Sequence, residues 1–352
     1  MRHIVILFLS ILTTTCFAQT NISSLFNFLN RPVDVTSCYK PTPAVVLHAE
    51  SGETLFQSTD GGTTWQSLGQ ELPENLKVST AFVKEEEIYL GTMDGKFYRG
   101  YGPEPLHWDL QEMEGKTSTG PVFGVYAEKS GIYARTYNEG FYRLVPGTNY
   151  WKPMHQNLED KSVYSVVETA EGTLMVASPK GIYESANDGK TWKSIYSDSW
   201  VNNLIYKNNT IIANSPQGLI RSDDHGKEWN CVLHDEGGHY NLRVIDGYFV
   251  AIRVAGPWNT ASQHPASVIV SMDGGNTWHC MATGKPDDTR IYDLVKVGDY
   301  LFSSRNGGIS RSFDMGKTWQ LLITPPVDND RMIFELMTSG STLFAYLREN
   351  GC

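Results

Sequence analysis

Short runs of alternating apolar and polar residues, separated by turn residues, make up most of this chain. Residues 290–323 contain four such runs, at 291–297, 300–304, 309–312 and 318–322. Glycine, aspartate and asparagine lie between the runs, where tight turns need positive φ or a side-chain hydrogen bond to the backbone. The pattern predicts a four-stranded antiparallel sheet, whose strands are named A to D in chain order.

The predicted turn between strands C and D carries a motif that is copied along the chain, Ser-x-Asp-x-Gly-x-Thr-Trp. Asn187 replaces the aspartate in one copy, and Glu228 replaces the threonine in another. Two further units, at 95–108 and 140–151, keep the strand and the tryptophan but have lost the serine and aspartate. The five copies lie at 58–65, 185–192, 222–229, 271–278 and 312–319.

Counting the two degenerate units, seven tryptophans recur at intervals of 37 to 49 residues. A period of about forty residues with four short strands per unit is typical of a β-propeller. The sequence therefore predicts an all-β fold, a single propeller with seven blades. The C-terminal stretch 331–351 matches strands A and B and is expected to complete the blade whose strands C and D lie at 54–68. Because 44–50 also reads as a strand B, eight blades are the alternative.

The motif residues have an expected structural role in the turn. The aspartate can accept backbone N–H bonds, the glycine supplies positive φ, and the tryptophan packs beside the next blade. The motif resembles the Asp-box (BNR) repeats of sialidases, sortilin, xyloglucan hydrolases and the photosystem II assembly factor family, over roughly residues 40 to 323. The resemblance implies a propeller in which the Asp box lies away from the active-site face. The residues predicted to be structural are Asp60, Asn187, Asp224, Asp273 and Asp314.

The activities of these relatives do not transfer with the motif, because fold and function separate in such families. A sialidase-like enzyme would need an arginine triad and an Arg-Ile-Pro motif, whereas this chain has only Arg31-Pro32. A xyloglucan hydrolase of this repeat type has two propellers, and this chain has room for one. The photosystem factor uses an arginine-rich face, which a net charge of -10 does not support.

The N-terminus has the pattern of a secretory signal peptide. Arg2 and His3 precede an apolar run at 4–12, and small residues lead to an expected cleavage after Ala18. Acylation at Cys16 is the alternative, although the threonines before it fit a lipobox poorly. The predicted organisation is a signal peptide at 1–18, an extension at 19–39 and the propeller at 40–352, in a secreted or periplasmic protein.

An exported protein can form disulfides, and two cysteines lie near the ends of the mature chain. A bridge between Cys38 and Cys352 would lock these ends together. Free buried thiols are the alternative.

A ligand site is expected on the face formed by the D-to-A and B-to-C connections, where loops vary without disturbing the sheets. The long connection 253–266 and the connection 234–240 should be neighbours there. An indole beside carboxylates and imidazoles suits a sugar platform with acid–base groups, and an ordinary polar loop is the alternative. The histidine spacing matches no zinc motif, so no metal or cofactor is predicted. The candidates are Arg253, Trp258, His264, His234, Asp235, Glu236, His239 and Tyr240.

The excess of acidic residues disfavours binding to nucleic acid or to anionic membranes, because both bind basic protein surfaces. The favoured function is a secreted glycan- or protein-binding module or scaffold that uses this face. The alternative is a carbohydrate-active enzyme, a glycoside hydrolase or polysaccharide lyase, with carboxylate, histidine or tyrosine groups on the same face. The sequence leaves open whether the protein is an enzyme, what it binds and its oligomeric state.

Overall fold

The alternation of apolar and polar residues in each repeat forms antiparallel sheets, since every second side chain of a strand faces the same neighbour. The computed structural model describes residues 47–49, 53–116, 120–137, 140–159, 161–254, 268–281, 290–305, 307–325 and 332–349. They lie in a unit that spans Pro43–Cys352. The regular structure of these residues is entirely β-strand. No helix in these ranges is long and apolar enough to cross a membrane. The predicted signal peptide and extension lie outside the described residues and stay predictions.

Thirty strands make up the described fold. The first are β1 (Leu47–His48), β2 (Leu55–Ser58), β3 (Gln66–Ser67), β4 (Val78–Lys84), β5 (Glu87–Thr92), β6 (Phe97–Tyr101), β7 (His107–Leu110) and β8 (Glu112–Met113). Next come β9 (Val122–Glu128), β10 (Gly131–Thr136), β11 (Gly140–Leu144), β12 (Tyr150–Pro153), β13 (Ser165–Glu168), β14 (Leu174–Ser178), β15 (Gly181–Ser185) and β16 (Lys193–Tyr196). The third group is β17 (Asn203–Lys207), β18 (Thr210–Ser215), β19 (Gly218–Ser222), β20 (Asn230–His234), β21 (His239–Ile245), β22 (Tyr248–Val254), β23 (Val268–Ser271) and β24 (His279–Cys280). The last are β25 (Ile291–Val297), β26 (Tyr300–Arg305), β27 (Gly308–Ser312), β28 (Gln320–Thr324), β29 (Met332–Ser339) and β30 (Thr342–Glu349).

These strands form seven sheets, which confirms the predicted seven-bladed propeller. Blade 1 has the order β29-β30-β2-β3, and blade 2 is β4 to β7. Blades 3 to 7 begin at β9, β13, β17, β21 and β25, with four strands each. Two blades carry an additional outer strand, because β8 pairs parallel to β12 and β1 pairs parallel to β28.

The ring closes within blade 1, where the C-terminal strands supply A and B and the N-terminal strands supply C and D. Antiparallel pairing of β2 with β30 places Leu55 opposite Tyr346 and Ser58 opposite Leu343. This pairing removes the free edge that a cut propeller would leave, and it confirms the predicted closure. The alternative of a strand B at 44–50 is wrong, because the strand within that stretch, β1, lies against the outer edge of blade 7.

Each gap between neighbouring blades holds its own apolar cluster, so the core is a ring of seven clusters. Between blades 7 and 1, Phe302 and Phe334 are 0% and 1% exposed. Burying such side chains stabilises each by about 1.5 to 3 kcal/mol relative to exposure. The closing contact between blades 7 and 1 therefore has the same physical basis as the contacts between blades that are consecutive in sequence.

Because strands within a blade are antiparallel, the two faces of the ring carry different connections. The A-to-B and C-to-D turns lie on one face, named the turn face. The B-to-C and D-to-A connections lie on the opposite face, named the loop face.

The copied motif forms hydrogen-bonded turns on the turn face. In blade 6, Asp273 Oδ1 accepts from the backbone N–H of Thr277 at 2.9 Å, and Oδ2 accepts from the Thr277 hydroxyl at 2.7 Å. Ser271 Oγ donates to Asp273 at 2.9 Å and accepts from the Gly275 N–H at 2.8 Å. Asn187 in blade 4 accepts from the Thr191 N–H at 2.9 Å and donates to the Thr191 hydroxyl at 2.8 Å. These bonds are those a structural turn requires.

Candidate functional site

Three elements of the loop face bring candidate residues together. Strand β22 ends with Arg253 and Val254, and strand β21 begins with His239 and Tyr240. Antiparallel pairing sets Tyr240 opposite Arg253 in the ladder. The connection from blade 5 to blade 6 enters beside them with Asp235.

Arg253, Asp235 and Tyr240 form a hydrogen-bonded group. Arg253 donates from Nε and Nη2 to the two carboxylate oxygens of Asp235, at 2.8 and 3.2 Å. The Tyr240 hydroxyl donates to Asp235 Oδ2 at 2.6 Å. Arg253 is 6% exposed, so the bidentate pair lies below the surface. A charge-assisted pair of this geometry fixes the end of β22 against the incoming connection.

Burial and the Asp235 carboxylate raise the pKa of Tyr240, so the phenol stays protonated at neutral pH. Burial alone would lower the pKa of Arg253, but its hydrogen bonds and ion pair with Asp235 raise it. The arginine is therefore charged and the tyrosine neutral. Neither group is set up to accept a proton, and Asp235 is already engaged by both.

A second group lies beside the first and contains an aromatic stack. The rings of Trp200 and His239 are 5.6 Å apart between centroids and 18° from parallel. Asn202 and His239 Nδ1 are joined by a hydrogen bond of 3.0 Å, and Asn202 hydrogen-bonds with the buried amide of Asn214 at 2.8 Å. Trp200 is half-buried and comes from the connection between blades 4 and 5. The stack therefore joins the connection between blades 4 and 5 to the first residue of strand β21 in blade 6.

His239 is a neutral imidazole in this setting. Burial lowers its pKa, and the charge of Arg253 lowers it further. The group thus presents an indole and a neutral imidazole, held by the amides of Asn202 and Asn214 and next to a fixed arginine. Such a combination of aromatic surface and oriented polar atoms suits binding of a ligand with apolar and hydrogen-bonding parts.

The remaining candidates are not part of these groups. His234 and Glu236 are exposed, with side-chain exposures of 70% and 83%, and their nearest charged atoms are 4.0 Å apart. Trp258 and His264 lie outside the described residues, as do Cys38 and Cys352, so their roles stay predictions. Within the described ranges, no group of three or more histidine, cysteine, aspartate or glutamate side chains is arranged to hold a metal.

Sequence reasoning left Trp200, Asn202 and Asn214 out of the candidate residues. The sequence does distinguish Trp200, because it is one of two tryptophans outside the series of seven repeat tryptophans. The sequence does not distinguish the two asparagines, since asparagine is common in turns and their pairing depends on how β17 and β18 align.

No protein-family model matches this chain, and no curated protein matches it in sequence. Solved structures do resemble it. YCF48 bound to D1 peptide has a TM-score of 0.59 and 15% identity over 78% of this chain and 94% of that chain. YCF48 from Cyanidioschyzon merolae has a TM-score of 0.59 and 12% identity over 78% of this chain and 97% of that chain.

A third similar structure is the extracellular domain of the hybrid two component system BT4673 from B. thetaiotaomicron. Its TM-score is 0.56 at 12% identity, over 79% of this chain and 41% of that chain. This chain therefore spans less than half the length of that protein domain. At such identities the similarity shows the fold alone, a β-propeller.

Proposed function

We propose that this protein is a non-catalytic binding module or scaffold that holds a glycan or a protein on its loop face. The observation that carries the proposal is the Trp200–His239 stack beside the buried Arg253–Asp235 pair. Stacked aromatic groups give contact area, and neighbouring polar atoms give orientation. One similar propeller, YCF48, was solved with a bound peptide, which supports a binding role for this shape of protein.

The contacts at the loop face favour binding over acid–base catalysis. Asp235 is hydrogen-bonded by Arg253 and Tyr240, and Tyr240 has a raised pKa. A general acid or base needs a proton-transfer group with a pKa near the working pH and access to the substrate. A carbohydrate-active enzyme would have to use other residues of this face.

We further propose that the chain belongs to the Asp-box repeat superfamily and is exported. The turn geometry at Asp273 and its copies supports the first proposal. The apolar run at 4–12 supports the second. N-terminal sequencing of the protein recovered from the producing cells tests export, because the expected mature chain begins at Gln19.

The function is tested by incubating the purified protein with acidic polysaccharides, neutral polysaccharides and a displayed peptide library. Retention and fragment release are followed together by mass spectrometry. Retention of one ligand class without fragments is the expected result. Release of fragments would establish the enzyme alternative and refute the non-catalytic proposal, and retention of nothing would also count against it.

A further inference from the structure

A cavity of about 590 Å³ lies between blades 1 and 2 on the turn face, opposite the proposed ligand site. Its apolar lining includes Val83, Leu106 and Phe344, which are 6%, 8% and 7% exposed. The volume is within the usual range for small-ligand pockets, about 300 to 1,000 Å³. The cavity is therefore large enough to receive a side chain from another molecule.

The cavity lies where blade 2 has lost the Asp-box motif. In blades 1 and 6 the motif glycine has positive φ and presses against the preceding blade. A Cβ on Gly62 would meet Leu322 at 2.6 Å, and a Cβ on Gly275 would meet Ile212 at 2.4 Å. In blade 2 the position three residues before the tryptophan is Pro105 instead of glycine, so the glycine contact with the preceding blade is not made there.

The cavity is bordered by carboxylates and has no basic group among its lining residues. Glu85 and Glu86 are exposed in the A-to-B turn of blade 2, and Glu104 is exposed in its C-to-D turn. Gln57 of blade 1 donates to Glu104. Gln57 is the residue just before the motif serine of blade 1. In blades 5 and 7 the residue at this position is an arginine, so blade 1 lacks the cation that those blades have beside the next turn.

We propose that this cavity binds a lysine or arginine side chain presented by an extended segment of a partner protein. The aliphatic stem would lie on the apolar lining, and the cationic head would meet the glutamates, as long basic side chains commonly do. The net charge of -10 adds a long-range attraction for a basic partner. This site is independent of the loop face and goes beyond the proposed function.

The probes are two acetylated, amidated tripeptides, Leu-Lys-Leu and Leu-norleucine-Leu, titrated into the full protein by NMR or calorimetry. Norleucine has a similar stem without the charge. We expect the lysine peptide to bind at least tenfold more tightly at low salt, with the preference decreasing as salt screens the charges. The double variant Glu86→Gln/Glu104→Gln should lose that preference. Glu74→Gln, an exposed carboxylate elsewhere, should keep it.

Equal binding of the two peptides, binding of neither, or an unchanged preference in the double variant would overturn the proposal. The variant Trp200→Ala distinguishes binding at this cavity from binding at the loop face. Since Trp200 is on the other face, its substitution should leave binding of the lysine peptide unchanged.

Discussion

Arg311 donates from Nη1 to the carbonyl oxygen of Gly61 at 2.6 Å, which joins blade 7 to blade 1 across 250 residues of sequence. Arg221 makes the same kind of contact from blade 5 to blade 6, where its Nε donates to the Gly274 carbonyl at 2.8 Å. In both cases an arginine just before one motif serine binds the turn of the next blade. The Asp box therefore stabilises the contact between blades as well as its own hairpin.

Arg311→Ala should lower the free energy of unfolding by about 1 to 2 kcal/mol, because it removes a hydrogen bond to the turn that closes the ring. The Arg311 guanidinium also lies 4.8 Å from the Tyr300 ring centroid, in a cation–π contact. A lysine at this position would keep the charge but would only partly replace the two contacts. Urea denaturation of the wild type, Arg311→Lys and Arg311→Ala should rank them in that order. An alanine variant with an unchanged midpoint would show that the contact adds nothing to stability.

Asp273→Ala should lower stability by about 1 to 2 kcal/mol through loss of turn hydrogen bonds, and should leave ligand binding unchanged. Asp273→Asn is the matched control, since Asn187 occupies the same position in blade 4 and makes equivalent bonds. The asparagine variant should be closer to wild type in thermal melts. A large loss of binding at an unchanged melting temperature would refute the structural role.

The Asp273 turn should also respond to acid. Partial burial would raise the pKa of Asp273, but hydrogen bonds from Thr277 and Ser271 outweigh it and hold the pKa at about 2. Because the folded-state pKa is below the ordinary value of 3.8, the contribution is present above that value and is lost as the pH falls toward 2. Asp273→Asn should therefore show less acid destabilisation than wild type between these values, and equal acid profiles would contradict this.

Glu128 should make the protein less stable as the pH rises. Burial, with the nearby charge of Glu168, raises its pKa from 4.5 to about 7 although the Glu168 N–H bond opposes the shift. The folded protein then holds a proton that the unfolded chain releases, so stability is greatest below pH 4.5 and falls as the pH rises through 7. The loss is on the order of 3 kcal/mol at most.

Glu128→Gln, which cannot ionise, should remove that dependence. Its melting temperature should exceed the wild-type value at pH 8 and match it at pH 4.5. Parallel wild-type and variant curves across this range would show that Glu128 does not titrate as described.

Asp293 joins three blades through a carboxylate that is fully buried. Oδ1 accepts from Arg243 Nε in blade 6 at 3.0 Å, and Oδ2 accepts from the Leu336 N–H in blade 1 at 3.0 Å. Removing this carboxylate leaves the buried Leu336 N–H without its partner and Arg243, whose side chain is 33% exposed, without its ion pair, at a cost of about 1 to 3 kcal/mol. Asp293→Ala should lose about that much in denaturant unfolding, and Asp293→Asn less. A loss below about 1 kcal/mol would place this contact among the weak surface pairs.

The number of blades and the closure of the ring could be predicted because seven units carry the tryptophan and the stretch 331–351 after them matches strands A and B, which the first unit lacks. The outer strands β1 and β8 could not, because their parallel pairing joins segments without a repeat signal. Whether two residues form a strand depends on the sheet edge with which they pair rather than on their own sequence.

The candidate site was only partly predictable for a similar reason. The sequence pointed to Asp235, His239 and Arg253 as neighbours because their connections share one face. The stack of His239 on Trp200 depends on the distance between two blades, which the spacing of residues along the chain does not specify. The amides of Asn202 and Asn214 orient this stack only after both strands have paired.

The proposed function requires the loop face to bind its ligand through the Trp200–His239 stack. The measurement that tests this is the dissociation constant of wild type, Trp200→Ala and Asp273→Ala for the ligand retained from the polysaccharide and peptide panel. Trp200→Ala should weaken binding at least tenfold, about 1.4 kcal/mol, while Asp273→Ala keeps the wild-type affinity. Wild-type affinity in a folded Trp200→Ala protein would show that the stack does not bind the ligand.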